Sequence, residues 1–162
     1  IISGGQEAWV VREALAASGT PVVINALDNL PGSFDGLGAR LDNATLLHAA
    51  GVTLLFTSGE THNARKLRHV AGNAVANGLP YGVAMAAMTS LPAEIFGGKS
   101  RMIAPGSRAD LVIWSGDPLD VNSAADQVII DGKLDPMTSR QTELLKRYLP
   151  TEAGFGRAYI NP

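Results

Sequence analysis

Short apolar runs alternate with helix-like patterns along residues 1–98. Val22–Asn25 and Val52–Thr57 are short runs rich in apolar residues, typical of strands buried on both faces. The apolar pair Ile1-Ile2 has the same character and reads as the end of a third such strand. Strands of this kind, separated by helical patterns, predict an α/β unit with a parallel sheet.

The segments that separate these strands carry apolar residues at helical spacing. A glycine follows three of them at the position where a helix C-cap is expected. We predict helices over Gln6–Ser18, over Asp42–Ala50 with Asp42 as its N-cap, from Thr61 or Asn63 to Asn77, and over Pro80–Phe96 with an interruption at Pro92.

The pattern changes after residue 98. Pro105-Gly106 is a turn signal, and it precedes two predicted strands, Ala109–Trp114 and Gln127–Ile130. Asp131-Gly132 then indicates a hairpin. A last helix is predicted over Thr138–Tyr148. The sequence therefore predicts three parts: an α/β unit over 1–98, a small β unit over 99–134, and a terminal helix and tail over 135–162.

Composition and charge exclude several classes of protein. Hydrophobic residues make up 46% of the chain and charged residues 17%, which is typical of a globular protein. A net charge of -2 offers no basic footprint for nucleic acid. No apolar run reaches the roughly 18 residues that a membrane span needs. The absence of cysteine excludes disulfides and thiolate metal sites, and no feature indicates a compartment.

A sequence signature near the C-terminal end resembles a known family. Pro105–Leu119 reads PGSRADLVIWSGDPL, and Val128–Lys133 reads VIIDGK. Together they resemble the C-terminal signature of the amidohydrolase superfamily, especially its imidazolonepropionase-like members. Met85–Gly97 is similar to a helix that precedes this signature in the family. The resemblance covers roughly residues 1–134.

The resemblance implies the C-terminal part of a (β/α)8 barrel. Ile1-Ile2, Val22–Asn25 and Val52–Thr57 would be strands six, seven and eight, and residues 99–134 would be the C-terminal part of a composite β-sandwich. A chain of 162 residues is too short for a complete barrel, which needs at least about 200. The chain also begins without Met. We therefore expect a piece of a longer protein, with the remainder of that protein as its partner.

Residues at the carboxyl ends of the strands are the candidates for chemistry, because barrel enzymes place their sites there. Asn25 and Asp28 follow the second strand and either line a pocket or form a turn. Ser58 and His62 follow the third strand as candidate substrate-binding residues. Glu60 is the candidate catalytic residue, as a displaced general base, although it could equally be an acid that complements a helix dipole.

The resemblance implies a metal-binding histidine after strand six and an aspartate after strand eight. This chain has Gly4 or Gly5 and Thr57-Ser58-Gly59 at those places, so it departs from the family pattern. His48 fits an ordinary helix position, and His62 and His69 would be about 10 Å apart along a helix, too far to share one ion. The basic run Arg65, Lys66, Arg68 is typical of a solvated face.

We identify no metal site in this chain and expect it to bind none alone. Zinc or another divalent metal is compatible with the full-length parent. Two functions remain open. The first is an amidohydrolase-like, metal-dependent hydrolase of C–N bonds, in amides or cyclic amides, with a small-molecule substrate. The alternative is a catalytically degenerate, metal-free homologue with a binding or structural role. A stand-alone small enzyme is a third hypothesis, and a homo-oligomer is compatible with each. We expect this piece alone to be inactive.

Overall fold

Two three-stranded sheets organise the chain. The computed structural model describes residues 1–98 and 103–148. In the first sheet, β1 (Ile2–Ser3), β2 (Val22–Ile24) and β3 (Leu54–Phe56) run parallel in the order β1-β2-β3. The prediction of parallel strands in chain order, each separated by helical structure, is confirmed.

Helices connect the strands close to the predicted positions. The first and third predicted helices begin as 3-10 turns before they become α-helical. Among the described residues no helix has the length and apolar character of a membrane span. The α-helices are α1 (Arg12–Ser18), α2 (Asn43–Ala49), α3 (Leu67–Ala76), α4 (Tyr81–Met88), α5 (Ser90–Ile95) and α6 (Arg140–Tyr148), and the 3-10 turns are Ala8–Val11, Phe34–Gly36 and Thr61–Lys66.

The predicted helix over Pro80–Phe96 breaks earlier than expected. The interruption lies at Thr89, whose φ of -120° and ψ of -78° are not helical, and not at Pro92. Proline clashes with the carbonyl of the residue four positions before it. For Pro92 that residue is Met88, where α4 ends. Pro92 itself is tolerated as the third residue of α5, in a first turn whose N–H groups have no intrahelical acceptor.

Asp42 occupies the N-cap position of α2 but makes no side-chain cap hydrogen bond, so the predicted capping role is wrong. Its two carboxylate oxygens instead accept hydrogen bonds from Arg40 Nε and Nη2, both at 2.7 Å. The hydrogen bond from Arg40 lowers the pKa of Asp42 below its ordinary value. The nearby guanidinium therefore competes successfully for the oxygens that a cap would need.

The main core lies between the parallel sheet and its helices. Every residue of β3 is buried, as are the two outer residues of β2, in agreement with the apolar runs. Small residues of α3 and α4 let these helices approach closely. The largest fully buried apolar side chains are Ile24, Leu47, Leu54, Leu79, Val22 and Val70.

The second sheet is antiparallel and contains β4 (Leu111–Trp114), β5 (Ala125–Ile130) and β6 (Lys133–Leu134). The predicted hairpin is confirmed, because Asp131 (φ 52°) and Gly132 (φ 76°) both have the positive φ of a type I′ turn. The division into units at 98 and 134 stays a prediction. The chain at 99–102 and the predicted tail at 149–162 lie outside the described residues.

Candidate functional site

A cleft of about 480 Å³ lies at the carboxyl ends of the three parallel strands. Because parallel strands end at the same edge of a sheet, the segments that follow them meet there. Nine of its thirteen lining residues have polar or charged side chains. The cleft is lined by Ser3, Gly4, Gly5, Gln6, Glu7, Ile24, Asn25, Asp28, Asn29, Asp35, Asn43, Thr57 and Gly59.

Two glycines shape the chain after β1. Gly4 and Gly5 have φ angles of 100° and 83°, in the region that favours glycine. A Cβ on Gly5 would lie 3.1 Å from the Cβ of Ala8, which is tighter than ordinary contact. These residues turn the chain sharply from β1 into the 3-10 turn Ala8–Val11.

Asn25 and Asp28 lie together at the end of β2. Asn25 Nδ2 donates to Asp28 Oδ2 at 2.8 Å, and Asn25 Oδ1 accepts from the backbone N–H of Leu27 at 3.2 Å. Asn25 is half-buried and Asp28 is exposed in the cleft. Both alternatives therefore hold at once, because the pair forms a turn and also lines a pocket. An ionised carboxylate accepts several hydrogen bonds, so Asp28 keeps capacity for a ligand.

Two buried asparagine side chains, which were not predicted from the sequence, form hydrogen bonds to the backbone around the cleft. Asn29 and Asn43 are each 1% exposed. Asn29 Nδ2 donates to the carbonyl of Ala26 at 2.6 Å. Asn43 Nδ2 donates to the carbonyl of Gly5 at 2.9 Å, while its Oδ1 accepts from the backbone N–H of Trp9 at 3.1 Å. Asn43 therefore fixes the segment after β1 to the start of α2.

The charge along the cleft is negative. Glu7, Asp28 and Asp35 line it, and none of its lining residues is Lys, Arg or His. Glu7 is held in place because its Oε1 accepts from the backbone N–H of Gly38. A side chain at Gly38 would collide with that carboxylate, since a Cβ there would lie 2.8 Å from the Glu7 oxygen. This wall of the cleft favours ligands that present N–H donors or positive charge.

A smaller cavity of about 370 Å³ adjoins the cleft and shares Asn25, Asp28 and Gly59 with it. Ser58, Glu60 and Lys66 line this second cavity. Ser58 Oγ donates to the backbone carbonyl of Glu60 at 3.3 Å. The structure thus brings four of the five predicted site residues to neighbouring positions, with Glu60 exposed.

His62 is separate from this group. It lies exposed in the 3-10 turn Thr61–Lys66 and is absent from the lining of either cavity. Its assignment as a substrate-binding residue, like the roles of the other four, stays a prediction. The residues that sequence reasoning missed are Glu7, Asp35, Asn29 and Asn43. Glu7 and Asn29 had a signal, because they lie five and four residues after the end of a predicted strand.

The described residues do not fit a metal site. Within 1–98 and 103–148 no group of three or more histidine, aspartate or glutamate side chains could hold an ion. His69, in α3, has a buried Nε2 without a hydrogen-bond partner. Burial, with the nearby charges of Arg68 and Lys66, lowers the pKa of His69 below its ordinary value.

The comparisons with known proteins identify the family. The sequence profile described as "Amidohydrolase family" matches residues 49–134, which is more than half of the chain. The chain belongs to the amidohydrolase family. The matched region runs from the end of α2 to β6 and includes the signature around β4.

Individual amidohydrolases extend this result. The amidohydrolase tasK of Hapsidospora irregularis is 38% identical over 90 residues, which are 54% of this chain and 9% of that protein. The crystal structure of an amidohydrolase from Thermotoga maritima is similar with a TM-score of 0.72 and 29% identity, over 82% of this chain and 36% of its own. A prolidase complexed with N-methylphosphonate-L-proline shares the fold, with a TM-score of 0.61, 21% identity, and coverage of 83% and 39%. This chain therefore spans well under half the length of each.

Proposed function

We propose that this chain forms the C-terminal part of a (β/α)8 barrel in an amidohydrolase that hydrolyses C–N bonds. The observation that carries the proposal is the polar cleft at the carboxyl ends of three parallel strands, in a chain of this family. In barrel enzymes the substrate binds at that end of the strands. The cleft would then be one wall of the substrate site.

The barrel itself is supported by the topology. Three parallel strands lie side by side in chain order, and helices connect them, as right-handed crossovers in a barrel require. The Thermotoga maritima amidohydrolase matches most of this chain but with only 36% of its own length. We propose that other residues of the same protein supply the remaining strands and the second sheet of a sandwich with β4–β6. Val112 on β4 and Ile130 on β5 lie on one face of this sheet and are 43% and 49% exposed, which leaves apolar surface for such a sheet.

Asp28 is the residue of this wall that would contact the substrate most directly. Amide and cyclic amide substrates carry N–H groups, and a carboxylate is a strong acceptor for them. The hydrogen bond from Asn25 orients the Asp28 side chain for that purpose. Together with Glu7 and Asp35, Asp28 makes this wall of the cleft negative. The wall would therefore favour substrates in which the part that contacts it is uncharged or positive.

Glu60 and Ser58 would act at the adjoining cavity. Glu60 is a carboxylate near the end of β3, and a general base must come within hydrogen-bond reach of the proton that it removes. Its place in a cavity that Ser58 and Lys66 also line is compatible with proton transfer at the edge of the cleft. His62 would contact only the outer part of a larger substrate.

The described side chains offer no metal site, so zinc or another divalent metal of the complete enzyme would be held by residues outside this group. The imidazolonepropionase-like subgroup remains a prediction from the signature around β4. It would favour cyclic amides over linear ones. A second copy of the protein as a partner also remains a prediction.

The test is a kinetic comparison in the complete protein that contains this chain. A panel of linear and cyclic amides identifies a substrate, and Asp28→Asn is then compared with the wild type. A hydrogen bond to a charged group contributes about 1.5–3 kcal/mol, so we expect kcat/KM to fall roughly 10- to 150-fold. Asp126→Asn, an exposed carboxylate on β5, is the matched control and should change kcat/KM less than twofold.

An Asp28→Asn variant as active as the wild type would contradict the proposed cleft. A complete protein that binds amides at this cleft without hydrolysing them would instead favour the alternative function, a metal-free homologue with a binding role.

A further inference from the structure

The connection between β4 and β5 is joined to α3 by a single arginine. Arg68 Nη1 donates to the carbonyls of Pro118 at 3.1 Å and Asp120 at 2.6 Å, and Nη2 donates to that of Ser123 at 2.9 Å. The basic run that contains Arg68 was expected to form a solvated face, and for Arg68 this is wrong. One guanidinium serves three main-chain carbonyls that lie outside any sheet ladder.

Two further contacts bring the same connection against the helix. The Arg68 guanidinium carbon lies 5.1 Å from the centre of the Trp114 ring, within the range of a cation–π interaction. The carbonyl of Leu119 comes so close to α3 that a Cβ on Gly72 would lie 2.7 Å from it. Leu119 is 8% exposed and belongs to the core that the parallel sheet and its helices share.

A contact from α4 completes the arrangement. Tyr81 Oη donates to Asp117 Oδ1 at 3.0 Å, and the same oxygen accepts from the backbone N–H of Leu119 at 2.8 Å. Asp117 is therefore both a turn residue and the contact point for α4. Partial burial and the hydrogen bond to Asp117 raise the pKa of Tyr81, so the phenol remains a donor well above neutral pH.

We propose that residues 114–123, here called the clasp, hold the small β4–β6 sheet against α3 and α4. On α3, Arg68 supplies the hydrogen bonds and Gly72 leaves room for the close backbone contact. On α4, Tyr81 supplies the hydrogen bond to Asp117. This role goes beyond hydrolysis and does not depend on it. Through the clasp, the small sheet becomes part of the same cooperative unit as the helix that carries Val70 at the second cavity.

The chemistry of arginine explains why the clasp depends on this residue. A guanidinium presents five N–H donors in a rigid, planar fork, whereas a lysine ammonium has three donors on one atom. The three carbonyls of the clasp are spread over residues 118–123, so a single ammonium cannot serve them and also stack on Trp114. Without Arg68 the carbonyls of Pro118 and Ser123 lose this donor. The carbonyl of Asp120 keeps only the hydrogen bond from the backbone N–H of Ser123. The small sheet should therefore open in local fluctuations of the native state.

Hydrogen exchange of backbone amides in the full chain tests the clasp segment by segment. In Arg68→Met we expect exchange in β4 and β5 to accelerate at least tenfold, while exchange in β2 changes less than threefold. Arg68→Lys should accelerate the same strands, because charge alone does not restore the fork. Arg65→Met, at an exposed arginine of the neighbouring 3-10 turn, is the matched control and should leave both sheets unchanged.

Tyr81→Phe is a less disruptive variant that tests the same proposal if Arg68→Met does not fold. Tyr81→Phe removes one hydroxyl and should accelerate exchange in β4 and β5 by several-fold, again with β2 unchanged. Equal effects of Arg65→Met and the clasp variants would overturn the proposal. So would a uniform acceleration that includes β2, because Arg68 would then stabilise the common core and would not act as a clasp. Unchanged exchange in β4 and β5 would overturn it as well.

Discussion

Replacing Asn43 by alanine removes two hydrogen bonds that hold the floor of the cleft. Asn43 is 1% exposed, and its amide spans the carbonyl of Gly5 and the backbone N–H of Trp9, at 2.9 Å and 3.1 Å. After truncation to alanine, the backbone N–H of Trp9 has lost its acceptor, while the carbonyl of Gly5 keeps the hydrogen bond from the N–H of Ala8. The change therefore combines two lost hydrogen bonds with one backbone N–H that is partly shielded from water.

The size of the effect follows from these contacts. A typical hydrogen bond contributes about 0.5–1.5 kcal/mol net, and an unsatisfied buried partner costs about 1–3 kcal/mol. Because the two bonds are only part-buried, we expect the free energy of unfolding to fall by about 2–4 kcal/mol for Asn43→Ala. For a chain of this size each kcal/mol lowers Tm by roughly 2–4 °C, so Tm should fall by roughly 4–16 °C.

Urea unfolding followed by circular dichroism measures this change. Asn122→Ala is the matched control, because Asn122 is exposed and its side chain contacts only Asp120 among the hydrogen bonds described for it. Its effect should stay within about 0.5 kcal/mol. Asn43→Asp should cost at least as much as Asn43→Ala, since it places a carboxylate oxygen against the Gly5 carbonyl. If the free energy of unfolding of Asn43→Ala lies within about 0.5 kcal/mol of the wild-type value, the two hydrogen bonds of Asn43 do not stabilise the fold as proposed.

Three further predictions concern stability. Leu47→Ala, at a side chain that is 0% exposed, should lower the free energy of unfolding by about 2–5 kcal/mol in urea titrations, whereas Leu134→Ala, at a 67% exposed position, should be nearly neutral. The pKa of His69 is lowered in the folded state, so the unfolded state binds the proton more readily. The free energy of unfolding should therefore fall as pH decreases below about 6.5. His69→Gln should flatten that pH dependence. Asp131→Gly should be neutral or stabilising in thermal melts, while Asp131→Val should cost about 1–2 kcal/mol at a φ of 52°; equal melting temperatures would contradict this.

The strands could be predicted because their signal is local. Val22–Ile24 and Leu54–Phe56 are apolar at every position, which suits a strand with structure on both faces and few other elements of that length. The break between α4 and α5 could not be placed at the right residue from the local pattern. Pro92 was correctly seen as disruptive, but its ring acts on Met88, so the chain bends at Thr89.

The site could be predicted only where a residue directly follows a strand. Asn25 and Asp28 meet that condition, and the structure places both in the cleft. Asn43 begins a helix, and Glu7 reaches Gly38, which is 31 residues away, so their positions depend on how distant segments pack. Arg68 was assigned to solvent for the same reason, because its carbonyl partners lie 50–55 residues later.

We propose that substrate binds at the carboxyl ends of β1, β2 and β3. A crystal structure of the complete protein with a non-hydrolysable amide analogue would locate the substrate site. We expect the analogue to lie in the cleft, with an N–H group within hydrogen-bond distance of the Asp28 carboxylate. An analogue bound elsewhere, with the cleft filled only by solvent, would contradict it.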